Sequence, residues 1–232
     1  MRSSKLPILQ TLVEDQMATK LLLPAGARNH LLISWRAASL AAAFFTAACL
    51  VSRTVEAAND HAATFVMKSA TEAIAILSSK SVPEQDRRTQ FRKLILKNFD
   101  APAIGRLVVE PYWGKASPDQ QYHFQSAFES ALAKIYTERF FDYDGESLQI
   151  RGDRAGTPGT TIVQTTIATP TGSKTYDVDW VVTGAAGKEK FLDVVIDGVS
   201  TSRTTQQDYG SVLRTSNGNL DALTALLQAK EQ

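Results

Sequence analysis

Asp177 and Asp179 lie two positions apart in an alternating run, where paired carboxyls can act as acid and base or hold a cation. The same spacing puts them on the wet side of a sheet, which is the plainer reading. Asp142, Asp144 and Glu146 around Gly145 have the composition of a calcium loop, but neither its length nor its terminal bidentate Glu. Gly198-Val199-Ser200-Thr201-Ser202 opens like a nucleophile elbow and lacks the closing glycine, so Ser200 reads as a loop residue. His30, His61 and His123 are scattered, and no three ligands have metal-site spacing. No glycine loop that could cradle a phosphate is present. The sequence therefore carries no catalytic residue, no metal ligand and no cofactor motif, and binding is favoured over catalysis. The alternative is a small exported enzyme whose helix-plus-sheet pocket works with few polar groups.

The elements around these residues change period midway. Ala62, Phe65, Val66, Ala70, Ala73, Ile74 and Leu77 recur at helical spacing from Asp60 to about Ser79, and Ser81-Val82-Pro83 ends the run. A second helix is expected from Pro83 or Glu84 to Phe99. Phe91, Leu94, Ile95 and Phe99 form its apolar face, and Arg87, Arg88, Arg92, Lys93 and Lys97 a solvated one or a docking face for an acidic partner or headgroups. Asp100-Ala101-Pro102 starts a short helix to Val109, and Pro111-Tyr112-Trp113-Gly114 breaks it. Ser117-Pro118-Asp119-Gln120 caps a long helix whose buried side carries Phe124, Phe128, Leu132, Ile135 and Phe140.

Beyond Asp144-Gly145 the period becomes two. Strands are expected at Ser147–Arg151, Thr160–Thr169, Lys174–Thr183 and Lys188–Asp197, with turn residues between them, which makes an antiparallel meander. In the third strand Tyr176, Val178, Trp180 and Val182 share the apolar face. In the fourth, simple alternation puts Leu192, Val194 and Ile196 on one side and Phe191, Asp193, Val195 and Asp197 on the other. Helices from Thr204 or Thr205 to Thr215 and from Leu220 to Lys230, hinged at Asn217-Gly218, close the chain. The expected class is α+β.

The chain's 232 residues, 44% hydrophobic and 21% charged, are enough for one core or two small ones. Ala37 to Val51 is an uncharged apolar run after Arg36, leading to the small-residue exit Val55-Glu56-Ala57. That order is a secretory signal with cleavage near Ala57. As a membrane anchor, 15 residues would reach about 22 Å, short of the ~30 Å hydrocarbon core. Thr46-Ala47-Ala48-Cys49 offers a second alternative, a lipoprotein box with Cys49 lipidated, and Met17 an alternative start. Residues 1–57 then form a lead and signal, and 58–232 the working domain. That domain holds 19 basic and 21 acidic residues, a formal charge of −2 that recruits no nucleic acid by bulk charge. The sole cysteine, Cys49, leaves with the signal.

An ordered set spans the domain from about Phe65 to Leu227: Phe91 to Leu96, Asn98-Phe99-Asp100, Trp113, Ala116-Ser117-Pro118 with Gln120, Phe128, Tyr136, Tyr143 to Gly145, Asp193-Val194, and Asp197-Gly198-Val199-Ser200. With Tyr209, Leu213 and Ala222-Leu223-Thr224-Ala225-Leu226, it resembles the MlaC family of toluene-tolerance proteins. The resemblance implies a periplasmic phospholipid-binding carrier in a system that maintains outer-membrane lipid asymmetry. Its partners would be an outer-membrane lipoprotein complex and an inner-membrane ABC transporter with an MCE-domain subunit. The implied fold packs helices on a curved antiparallel meander of four to five strands, enclosing an apolar cavity for acyl chains. A related branch is associated with hopanoids, and Gly198 to Gln207 suits either cargo. Gly105 departs from the family pattern, in which a larger apolar or small helical residue is expected, and at that place it weakens its helix by up to ~1 kcal/mol.

On this reading Val178, Trp180 and Val182 from the third strand and Val194 and Ile196 from the fourth line the cavity. Val163 and Ile167 from the second strand and Phe128 and Ile135 from the long helix join them, with Trp113 and Tyr136 added from their family positions. No cofactor is expected; a bound lipid is cargo.

Overall fold

The computed structural model describes residues 60–229 apart from residues 142 and 144, and for residues 60 and 139 the backbone alone. The apolar run of residues 37–51, the Ala57 exit, Cys49, Met17, His30, Asp142 and Asp144 lie outside the described residues. Among the described residues five helices come first: α1 (Asp60–Ser78), α2 (Glu84–Asn98), α3 (Ala101–Val108), α4 (Glu110–Trp113) and α5 (Pro118–Phe140). Arg87 does not lie on the solvated face of α2. It is buried, and its guanidinium donates to the Leu77 carbonyl at 2.8 Å, satisfying an orphan acceptor in the last turn of α1.

Two helix starts follow capping chemistry. Asp100 Oδ1 accepts from Ala103 N at 3.1 Å before α3. Before α5, Ser117 Oγ accepts from Gln120 N at 3.2 Å while Gln120 Oε1 accepts from Ser117 N at 3.0 Å, a complete capping box. The Pro111 segment, expected to break the chain, instead forms the single turn α4, because proline is compatible with a helix's first turn.

The sheet is an antiparallel meander in the order β1 (Ser147–Ala155), β2 (Thr160–Ala168), β3 (Thr175–Thr183), β4 (Lys190–Ile196) and β5 (Val199–Ser200). β1 continues past Arg151 because the register slips between Ile150 and Gly152, a bulge that keeps the strand paired through Ala155. β5 was not expected. Asp197 and Gly198 have φ of 48° and 82°, the two consecutive positive values of a tight hairpin turn that Asp-Gly favours, and Ile196 pairs with Val199 across it.

A second bulge corrects the reading of β4. Val181 faces Asp193 and Val182 faces Phe191, so Leu192 is the extra residue. Phe191 therefore turns to the same side as Val194 and Ile196 and is 3% exposed. Its free edge meets the α2–α3 junction, where Asp100 N donates to Phe191 O at 2.9 Å.

Two helices finish the chain, α6 (Thr201–Thr215) and α7 (Leu220–Ala229). α6 begins at Thr201, earlier than expected, because Ser200 Oγ caps it by accepting from Arg203 N at 3.0 Å. α5 packs against α2, α3 and α7, and α6 against α3 and β4. One buried cluster joins Phe91, Phe99 and Phe124 of the helical layer to Val163, Val178 and Val194 of the sheet. α3 approaches α5 so closely that a Cβ on Gly105 would lie 2.7 Å from Gln125 Oε1 and 2.9 Å from Phe128 Cδ1. Gly105, a poor helix former, is there for packing.

Candidate functional site

The inner face of the sheet and the helices over it do not meet everywhere. A cavity of about 700 Å³ lies between β1–β4 and helices α1, α2, α5, α6 and α7. That is within the ~300–1,000 Å³ usual for ligand pockets. Of the residues expected to line it, Phe128, Ile135, Tyr136, Ile167, Val178, Trp180, Val194 and Ile196 form part of the wall. Val163 and Val182 share the inner face but sit in filled core, 0% and 2% exposed. Strand alternation assigns a face without saying where along it the helices come down. Trp113 is elsewhere, packed edge-on against Phe124 with ring centroids 6.4 Å apart near the start of α5.

The wall contains residues that the strand pattern did not single out. Val66, Ala70, Ala73 and Leu77 come from α1; Phe91, Leu94 and Ile95 from α2, with Phe99 at its C-cap; Tyr209 and Val212 from α6; and Leu226 and Leu227 from α7. Helical periodicity marked those of the first two helices as apolar, but core and cavity wall have the same periodicity. Phe191 was missed because the bulge at Leu192 reverses its side.

Phe191 is the centre of an aromatic group, with ring centroids 4.7 Å from Phe65, 5.0 Å from Trp180 and 5.2 Å from Phe99. Phe99 in turn lies 4.9 Å from Tyr136. Val163 and Val194 flank Trp180 on the neighbouring strands. Its Nε1 donates to Thr165 Oγ1 at 3.0 Å, and that hydroxyl donates to Val178 O at 2.9 Å. The polar edge of the indole is thus satisfied within the sheet, leaving its apolar surface for the cavity. Ile135 and Leu226 line the cavity while 41% and 47% exposed, so the space reaches the surface where α5 and α7 meet.

Two phenols on the wall are held in the protonated form. Burial, with Asp208 adding to it, pushes Tyr209 up to about 12. Burial and then Glu146 raise Tyr143.

Among the described residues, several groups that could have done acid–base or metal chemistry have structural partners. Asp179 pairs with Arg154 at 3.3 Å on the outer face of the sheet. His61 meets Glu189 at 3.0 Å, and His123 lies beside the Tyr122 ring. Asp193 lines the cavity but is a hub tying β4 to the start of α6. Its Oδ1 accepts from Val194 N, Ser202 N and Thr201 Oγ1 at 2.9, 2.9 and 3.0 Å, and its Oδ2 accepts from Ser200 Oγ. The Ser200 hydroxyl donates to Asp193 and caps α6. Among the described residues, no group of three His, Cys, Asp or Glu could hold a metal ion, and no helix is long and apolar enough to cross a membrane.

Among solved structures, the fold is similar to that of the phospholipid-binding protein from Ralstonia solanacearum, solved in complex with a phospholipid. The TM-score is 0.62 at 18% identity, covering 72% of this chain and 95% of that one. Among curated proteins, the toluene tolerance protein ttg2D of Pseudomonas putida is 20% identical over 123 residues. That match takes in 53% of this chain and 57% of ttg2D, so the chain spans just over half the length of this relative. The family model described as MlaC protein matches residues 67–229, from within the first described helix to the end of the last, and the chain belongs to the MlaC family.

Proposed function

We propose that this protein is a non-catalytic lipid carrier of the periplasm, exported by a signal cleaved near Ala57, that holds the acyl chains of a phospholipid in its cavity. The observation that carries the reading is the apolar space of about 700 Å³ bounded by Trp180, Phe191, Phe99 and Tyr136 and open where α5 meets α7. The phospholipid in the Ralstonia protein of similar fold supports it. Its exchange partners would be an outer-membrane lipoprotein complex and an inner-membrane MCE-domain ABC transporter.

The energetics suit a carrier that hands over its cargo by contact. Two ordinary acyl chains carry about 30 methylenes, and at ~0.8 kcal/mol each their transfer from water is worth roughly 20 kcal/mol. Release into solvent is then negligible on any useful timescale. The cargo has to pass directly into the apolar channel of a docked partner.

Solvent extraction and mass spectrometry of protein purified from its native envelope test this reading. Phospholipid in stoichiometric amount is expected, and a hopanoid would change the cargo while keeping the carrier. Protein that is empty and takes up no lipid from vesicles would overturn the reading.

A further inference from the structure

The cavity wall is largely apolar, but buried polar side chains stand in it, among them one pair with unused hydrogen-bonding capacity. Ser69 on α1 and Asn98 at the end of α2 both line the cavity, at 8% and 6% exposure. Asn98 Nδ2 donates to Ser69 Oγ at 3.1 Å. Two other hydroxyls of α1, those of Thr71 and Ser78, each donate to the carbonyl four residues earlier in their own helix. Ser69 does not, and among the described residues its proton has no acceptor. The second Nδ2 proton and the Oδ1 of Asn98 are likewise uncommitted among the described residues. Polar groups buried against hydrocarbon are unfavourable unless their hydrogen bonds are completed, so the pair calls for a ligand atom.

We propose that this pair binds an acyl ester carbonyl of the cargo, with Ser69 Oγ donating to the carbonyl oxygen and Asn98 acting as a positioning residue. The proposal rests on the lipid-carrier reading. Asn98 N–H engages a lone pair of Ser69 Oγ, which leaves the hydroxyl proton to point toward the cavity and strengthens it as a donor. An ester carbonyl accepts only, and it sits at the head of the acyl chain. A chain lying in the cavity along α1 and α2 can therefore bring its carbonyl to this wall.

The test is competitive loading from vesicles containing equal amounts of a diacyl phosphatidylethanolamine and the dialkyl ether lipid of the same chains and headgroup. The two lipids differ only in the carbonyls, and bound lipid is counted by mass spectrometry. The wild-type protein is expected to enrich the ester lipid about twofold to tenfold, the worth of one net hydrogen bond. Ser69→Ala should bring the ratio to unity with circular dichroism unchanged, and Asn98→Leu should move it the same way. If Asn98→Leu does not fold, Ser69→Ala, which installs a better helix former, decides alone. Equal uptake of both lipids by the wild type, or enrichment that survives Ser69→Ala, overturns the proposal and leaves the carrier reading standing. Wild-type protein that takes up neither lipid overturns both.

Discussion

Trp180 is where cavity and core can be told apart by one substitution. Val178 and Val182 lie two residues either side of it, and Val163 and Val194 face it across the ladder. Trp180→Arg places a charge beside hydrocarbon at a cost of several kcal/mol unless the side chain finds water. An empty, wet cavity provides that water. The variant is therefore expected to fold and purify with little or no lipid, judged by circular dichroism and extraction; a folded variant still fully loaded would remove Trp180 from the binding surface. Asp193 is the converse case, a carboxylate whose surroundings are structural. Asparagine offers one accepting oxygen where two now serve four donors, so Asp193→Asn should cost about 1–3 kcal/mol in thermal or denaturant unfolding. The folded fraction should still carry lipid. A stable, lipid-filled but inactive Asp193→Asn protein would argue for acid–base chemistry.

Among the elements, α3 shows how packing reverses a local preference. Helix propensity alone favours Gly105→Ala by up to ~1 kcal/mol. The added methyl would meet Phe128 at 2.9 Å and displace Gln125, whose Nε2 donates to Ala101 O at 3.0 Å. Overpacking of this kind costs about 1–3 kcal/mol. Gly105→Ala should therefore lower the midpoint of urea unfolding, by a net of about 1 kcal/mol; a raised midpoint would show that α3 and α5 can part freely. The bulge at Leu192 works at the same scale. One extra residue moves Phe191 onto the inner face, where it joins Trp180, Phe99 and Phe65.

The described residues form a sheet and a helical layer that share one buried cluster and leave a cavity between them, with the helices supplying much of its wall. A carrier needs this arrangement on the far side of the inner membrane, where the apolar run of residues 37–51 would deliver it. N-terminal sequencing of protein from the native envelope should therefore begin near Ala58. An intact Met1 or Met17 in that fraction would refute cleavage, and a diacylated Cys49 would establish the lipoprotein route instead.

Local chemistry was legible wherever a short stretch decides the outcome by itself. The caps at Asp100 and Ser117, the alternation of Tyr176 to Val182, the hinge at Asn217-Gly218 and the order of helices and strands all depend on neighbours a few residues away. The Asp197-Gly198 hairpin was also written in the sequence, as two adjacent residues that tolerate positive φ, although β5 was not read from it. What only the tertiary structure decided was which apolar surfaces stay apart. Val163 and Val182 are filled core while Val178 and Val194 reach the cavity, and all four look alike along the chain. The side taken by Phe191, the burial of Arg87 and the pairing of Ser69 with Asn98 likewise depend on a bulge or on contacts between distant helices. Periodicity reports the face a residue takes on its own element; whether that face meets a neighbour or empty space depends on how the elements pack.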